Sequence, residues 1–346
     1  MSTAPQKLRF RDKQIEMAHG AGGKASRRLI DGLFAPLLFG ATTEPLGDAA
    51  HINLNGNRVA ITADSFVVKP LRFPGGSIGE LAVNGTVNDL AVSGARAQAL
   101  VVTYVLEAGL PTEILEAEVR AMARAAERAG ITIAGGDTKV VEHGKADQMY
   151  LTTAGIGLPI PGITISPASV RPGDKVLLSG PIGDHGITIL LARGELELEA
   201  ELCSDTRSVL PLVEALAEAA APQIRWMRDP TRGGVATSLN ELARDCGLGV
   251  VLAEDAIPIR DTVRGACELL GLDPLHIANE GQFLAIVAAA HADAALEALR
   301  RTPGGHEAAI IGEVREHPAA TVLGATSYGG TRVIDMLVGD PLPRIC

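Results

Sequence analysis

Aromatic residues are scarce. Phe, Trp and Tyr make up 3% of the 346 residues, so the core must rest on Ala, Val, Leu and Ile. Basic clusters are missing too. The net charge is −10 and no Lys/Arg block stands out, which speaks against nucleic acid and against an anionic membrane as partners. No apolar run approaches the roughly 20 residues of a membrane span. The opening MSTAPQKLRFRDKQ lacks the apolar stretch of a signal peptide. Cysteine is sparse and scattered: Cys203, Cys246, Cys267 and Cys346 form no C-x-x-C pair. That favours reduced thiols in a cytoplasm over disulfides or structural zinc. No short repeat is visible, which excludes a solenoid.

What is present reads as a globular chain of two domains, since 47% of residues are hydrophobic and 21% charged. Glycine is abundant, with 39 residues, as tight turns or backbone held close to a ligand would require. Strands and helices alternate: strands at 58–63, 98–106, 131–138 and 149–157, with helices at 75–94 and 112–130 between them. In the second helix Leu115, Val119, Met122 and Ala126 recur at helical spacing, Thr112 can cap the start and Gly130 can end it. PIPGITISPASVRPGD (159–174) is rich in Pro, Gly and Ser and reads as a linker. Beyond it come a strand at 175–180, a turn and helix at 183–194, helices near 205–220 and 233–246, and strands in GVVLAED, HIANEGQFLAIVA and AAIIGEV. The signal fades from 321 onward. The expected division is therefore an N-terminal segment 1–40 with a glycine-rich loop, a domain 41–158, the linker 159–174, a second α/β domain 175–325 and a tail 326–346.

Five aspartates stand where strands or helices meet turns: Asp48, Asp64, Asp89, Asp137 and Asp229. One such Asp is ordinary turn chemistry. Five suggest carboxylates that hold Mg²⁺ between an acidic protein and nucleotide phosphates. Glu80, Asn84 and Asn88 form an i, i+4, i+8 stripe on an otherwise small and apolar helix. A solvated face would carry Lys and Glu, so the asparagines point to a site. HGAGGKAS (19–26) departs from a Walker loop, because Ala25 follows Lys24 and Ala18 occupies the first glycine position. Its backbone amides could still hold a phosphate. LLSGPIGDHG is a similar turn, in which a packing role is as good an explanation, and His185 within it reads as structural. Finally, the chain closes on PLPRIC, where two prolines favour an extended arm. Five to seven such residues reach roughly 15–22 Å, with a thiol at the tip.

Taken together, HGAGG, DSFVVKPLRFPGG, NGTVNDLAVSGA, GGDTKVVE, SGPIGDHG, DPTRGGVA, CELLGLDPLHIANEG and PRIC resemble the hydrogenase maturation HypE family, within the ATP-binding superfamily of aminoimidazole ribonucleotide synthetase. The likeness runs from about residue 17 to 346. It implies a two-domain α/β (α+β) fold, with an N-terminal ATP-binding and dimerisation domain, a C-terminal α/β domain and a flexible tail. It further implies a homodimer, ATP and Mg²⁺, a carbamoyltransferase partner HypF and a HypC–HypD acceptor complex. The reaction implied is ATP-dependent dehydration of a carbamoyl group on Cys346, giving a thiocyanate that supplies cyanide to a nickel–iron centre. By the same likeness Glu280 is the general base and Lys139 its electrostatic partner, although a lysine there could simply bind phosphate. Asp64, Asn84, Asn88, Gly135, Gly136, Asp137 and Thr138 would bind the nucleotide, and Asp48, Asp89 and Asp229 the metal. Superfamily members often carry a paired GDD where this chain has GDAA, which sets Asp89 ahead of Asp48 as a ligand. Two other classes remain as alternatives: an ATP-dependent synthetase or kinase acting on a free small molecule, and a non-enzymatic carrier. A selenophosphate synthetase would carry Cys or Sec in its glycine loop, and HGAGGKAS has neither.

Overall fold

A computed structural model describes residues 9–39, 45–194, 201–339, 342 and 344–346. A short helical segment leads in, with α1 (Lys24–Leu29) and α2 (Ala35–Leu38). The first unit contains β1 (Ala50–Leu54), β2 (Asn57–Phe66), a two-stranded ribbon of β3 (Arg72–Phe73) and β4 (Gly76–Ser77), β5 (Ala95–Glu107), β6 (Thr132–Val141) and β7 (Met149–Pro159). Its main sheet has the order β1-β2-β7-β5-β6, antiparallel except for β5–β6. That one parallel pair needs a crossover, which α4 (Thr112–Ala129) supplies.

The other helix of this unit, α3 (Ile78–Val92), is buried over nearly its whole length. It lies between the sheet, α4 and the second unit, so its sequence is small and apolar all round, not amphipathic. Its first turn is held by Glu118 from α4, whose Oε2 accepts the Gly79 N–H at 3.1 Å, a carboxylate at the positive end of a helix. The sheet's opposite face is open. Ile61, Val101, Ile156 and Leu158 are exposed there, and β6 is exposed along almost all of its length.

The second unit contains β8 (Lys175–Leu178), β9 (Ile224–Arg228), β10 (Gly249–Ala253), β11 (Leu284–Val287), β12 (Ala309–Arg315), β13 (Val322–Ala325) and β14 (Thr331–Ile334), in the order β14-β13-β10-β12-β8-β11-β9. Its helices are α5 (Asp184–Ala192), α6 (Leu210–Ala220), α7 (Gly234–Cys246), α8 (Asp261–Leu270) and α9 (Ala292–Arg301). The central strands are buried on both faces. Val176, Leu178, Leu284 and Ile286 pack with Leu239 and Leu242 of α7. Their alternates Leu177, Ala285 and Val287 join Leu212 and Leu216 of α6 and Leu299 of α9. This second cluster is continuous with Leu81 and Leu90 of α3, so one apolar core ties the two units together.

Several expectations are corrected. Thr112 is the first residue of α4 and offers no capping bond, while Gly130 ends it at φ +66°. Val119 is 42% exposed; Ala121, Met122, Ala125 and Ala126 form the buried stripe. Within HIANEGQFLAIVA only Leu284–Val287 is strand, because side chains take up the preceding backbone: Asp205 accepts the N–H groups of Glu280 and Gly281, and Ser179 Oγ that of Phe283. The helix expected from 205 starts at Leu210. Past 321, β13 and β14 form, short strands whose order comes from pairing, β13 with β10 and β14 with β13, and which their own sequence signals weakly. The tail is not a loose arm. Leu342, Ile345 and Cys346 are buried in the main core.

Candidate active site at the junction of the two units

Four aspartates meet where α3 and the first sheet face the second unit. Asp48 precedes β1, Asp64 lies on β2, Asp89 on α3, and Asp229 follows β9. The carboxyls of Asp89 and Asp229 are pushed well above the usual carboxylate range, first by loss of water; the charges of Asp229, Asp48 and Asp64 add to the shift at Asp89, and those of Asp48 and Asp64 at Asp229, where Arg228 opposes it. Asp64 and Asp48 are raised by loss of water as well, with Arg232 and Arg228 respectively opposing the shift. Arg228 is shared: its Nε lies 3.0 Å from Asp48 Oδ1 and its Nη1 3.0 Å from Glu241 Oε2. Thr62 Oγ1 sits 2.9 Å from Asp89 Oδ2 and 2.8 Å from the Asp48 carbonyl oxygen. Among the described residues no three acids converge closely enough to hold a metal unaided. The donor set is nevertheless one of hard oxygens with excess negative charge, which fits a Mg²⁺ ion completed by phosphate oxygens and water.

Beside this cluster Glu280 is buried, and its Oε1 has no hydrogen-bond partner. Its carboxyl is raised well above the ordinary range by loss of water and by Asp229, Asp64 and Asp205, with Arg232 opposing. Arg232 also stands 4.0 Å from Asp64 Oδ1 and donates from Nη1 to the Gly20 carbonyl at 3.0 Å. It lines a pocket of about 560 Å³ together with Ser65, Gly20, Ala21 and Cys346. Cys346, 8% exposed, reaches that pocket because the tail is fastened at several points. Val67 N–H donates to the Cys346 carbonyl (3.0 Å), His185 bonds the Ile345 carbonyl (2.9 Å), and Arg193 Nη2 donates to the Arg344 carbonyl (2.9 Å). Arg344 pairs with Asp147 and lies over the Tyr150 ring.

The sequence-derived site divides. Cys346, Glu280, Asp48, Asp64, Asp89 and Asp229 come together. Gly135, Gly136, Asp137, Thr138 and Lys139 do not join them within one chain. Asp64 pairs with Thr153, Thr153 with Val102 and Val102 with Gly136, so three strand spacings, about 14 Å, separate β2 from β6. Lys139 is 67% exposed and its Nζ lies 2.6 Å from Asp137 Oδ2. That bond, followed by the Thr138 N–H, holds the Asp137 carboxyl below its usual range. Gly136 has a packing reason of its own, since a Cβ there would meet the Val102 carbonyl oxygen at 1.7 Å.

The asparagine stripe also breaks up. Glu80 pairs with Arg128 of α4 and Asn84 is buried. Asn88 donates to the carbonyls of Arg207 (2.9 Å) and Glu280 (3.1 Å) and accepts the Val209 N–H (2.8 Å), so its amide clips the two units together and is not turned toward a nucleotide. The glycine loop is committed too. The N–H groups of Lys24 and Ala25 donate to the carbonyls of Leu337 (2.8 Å) and Val338 (3.2 Å) and are taken from any phosphate. A Cβ on Gly23 would meet the Leu337 oxygen at 2.3 Å. Arg228, Arg232, Ser204 and Asp205 were not singled out in the sequence. The two arginines flank Asp229 in RDPTRGG, a signal that a basic residue beside a buried acid could have given.

The two α/β units correspond to the two domains of the AIR synthase related proteins. The model of their N-terminal domain matches residues 46–158 and that of their C-terminal domain residues 171–324. A carbamoyl dehydratase HypE from Azotobacter vinelandii is 50% identical over 98% of this chain and 99% of its own length. Two solved structures are similar throughout: a HypE–HypF complex (TM-score 0.84, 42% identity, 89% of this chain and 99% of that one) and a HypE in complex with ATP (TM-score 0.80, 44% identity, 95% and 99%). The chain belongs to the HypE family.

Proposed function

We propose that this chain is a carbamoyl dehydratase of hydrogenase maturation, a lyase that removes water with ATP from a carbamoyl group borne on the Cys346 sulfur. The docked tail carries the reading: Cys346 lies in a pocket with Arg232, and the same arginine moderates the charge on the buried Glu280. In the reaction the thiocarboxamide oxygen attacks the γ-phosphorus and ADP leaves. The nitrogen gives up two protons, the C–O bond breaks, phosphate departs with the oxygen, and a thiocyanate remains on sulfur. An amide oxygen is a poor leaving group and phosphate a good one, which is what ATP contributes. Glu280 accepts a proton from nitrogen; a carboxylate whose pKa is raised is the stronger base for this. Asp89, Asp229 and Asp48, with Asp64 beside them, would hold Mg²⁺, which when bound offsets charge on the transferred phosphoryl group.

The open face of the first sheet supports a homodimer. A second copy laid across it would cover the exposed Ile61, Val101 and Ile156 and bring residues 135–138 of its own β6, with Lys139, toward the acids of the first. HypF loads the carbamoyl group, a HypC–HypD complex takes the cyano group, and the compartment is the cytoplasm. Among the described residues no helix is long and apolar enough to cross a membrane. The test is ATP hydrolysis by the HypF-carbamoylated chain against Cys346→Ala. Dependence on the modified thiol is expected. Hydrolysis without it would mean a free small-molecule substrate, and no hydrolysis at all a mere carrier.

A further inference from the structure

The stretch from Cys203 to Val209, just before α6, has no regular structure, yet its polar atoms are engaged with the tail's anchor His185, with the Glu280 backbone and with α3. Ser204 Oγ accepts the Thr206 N–H at 3.1 Å and lies 2.7 Å from His185 Nδ1. His185 is fully buried, and its Nε2 lies 2.9 Å from the Ile345 carbonyl oxygen. A carbonyl can only accept, so Nε2 carries the proton and Nδ1 accepts from the Ser204 hydroxyl. Burial holds the ring neutral by lowering its pKa to about 4. The Phe73 ring closes the niche edge-on at 5.6 Å. One residue further on, the two oxygens of Asp205 accept the N–H groups of Glu280 and Gly281, each at 3.1 Å. The Arg207 carbonyl and the Val209 N–H then fasten the stretch to Asn88, the neighbour of Asp89 on α3.

We propose that Ser204 and Asp205 are positioning residues that set the tail thiol in register with the Glu280 carboxyl, Ser204 through His185 onto the Ile345 carbonyl and Asp205 through the amides of Glu280 and Gly281. Adjacent Cα atoms are about 3.8 Å apart across a trans peptide, so the two arms cannot drift independently. A misplacement of about 1 Å can cost roughly a hundredfold in rate, which gives such a bracket its purpose. The proposal rests on the reading of Cys346 as carrier and Glu280 as base.

The experiment uses Ser204→Ala and Asp205→Asn in the full chain. Iodoacetamide labelling of Cys346 is read by peptide mass spectrometry, with the exposed Cys203 as reference thiol. ATP affinity and single-turnover dehydration after HypF loading are measured alongside. Ser204→Ala should speed Cys346 labelling about fivefold or more, the effect of one lost buried hydrogen bond, with ATP affinity retained. Asp205→Asn keeps an acceptor for one of the two N–H donors and sets an NH₂ against the other. It should slow dehydration about tenfold or more, with ATP affinity and Cys346 labelling unchanged. General loosening would move both readouts in both variants and would overturn the proposal. So would wild-type labelling in Ser204→Ala, or wild-type turnover in Asp205→Asn. If the unaltered, loaded chain never dehydrates while Ser204→Ala still exposes the thiol, the Ser204 arm stands, and the Asp205 arm falls together with the function assigned to Glu280.

Discussion

The junction around Asp229 and the outer strand around Asp137 carry the same short sequence signal, an aspartate at a glycine-bearing turn, in opposite electrostatic states. At the junction, acids are withdrawn from water and crowded, and their carboxyls are raised. On the strand, Asp137 is 57% exposed beside Lys139, and its carboxyl is lowered. The first arrangement is poised for a cation; the second is already neutralised. A charge that is costly where it stands in the free protein marks where binding does its work. A satisfied exposed pair acquires a role only when another surface is laid on it.

The largest effect that could break this contrast lies at the tail. Cys346→Ala should abolish carbamoyl loading and thiocyanate formation while ATP affinity stays within the wild-type range, as read by intact mass and calorimetry. Next, Glu280→Gln should still bind ATP and accept the carbamoyl group but dehydrate it about 10²–10⁴-fold more slowly in single turnover, the usual effect of a lost base. Asp229→Asn sharpens the comparison directly. It should weaken ATP binding and its Mg²⁺ dependence. In the metal-free protein at neutral pH it should raise the melting temperature, because a like charge has left a crowded site. An unchanged ATP affinity, or a lower melting temperature, would contradict the cluster reading. The fourth test concerns pH. His185 has a folded pKa of about 4 against 6.5 for an unburied imidazole, so the unfolded state binds the extra proton between these values. Its contribution is complete above pH 6.5 and lost as pH falls toward 4. Protection of the Val67 N–H, corrected for intrinsic exchange, should follow that course. The smallest effect belongs to the strand: Asp137→Asn should leave the thermal melt almost unchanged, as for an exposed, solvent-screened ion pair, and a clear drop in melting temperature would contradict this.

Much of the molecule was legible in the chain itself. The long amphipathic α4 announced its length and its glycine stop, and the apolar runs KVLL and FLAIV announced strands. The acids Asp48, Asp64, Asp89 and Asp229 were legible as a group. What could not be read was direction. Nothing in NGTVNDLAVSGA says that Asn88 turns to the backbone of Arg207 and Val209 while Asp89, its neighbour, turns to Thr62. The stretch CSDTRS looks like an ordinary loop, because its partners His185, Glu280 and Asn88 lie 19 to 119 residues away. The helix periodicity there concealed a job done by irregular backbone. Nor could the docked tail be foreseen from two prolines and a cysteine. Its order comes from His185, Arg193 and Val67, three residues that carry no tail signal of their own. Likewise Cys203, placed beside a helix in the sequence, is exposed, whereas Cys267 is buried and its thiol is pushed up to about 11.

The central claim is that Cys346 carries the reacting group and loses water from it with ATP. The most direct test is the intact mass of the chain, with peptide mapping, after incubation with HypF, carbamoyl phosphate and ATP–Mg²⁺. The account predicts a carbamoyl adduct on Cys346 alone, followed by loss of the mass of one water in step with ADP formation. An adduct on Cys203, Cys246 or Cys267, or a carbamoylated Cys346 that keeps its water while ATP is hydrolysed, would contradict it.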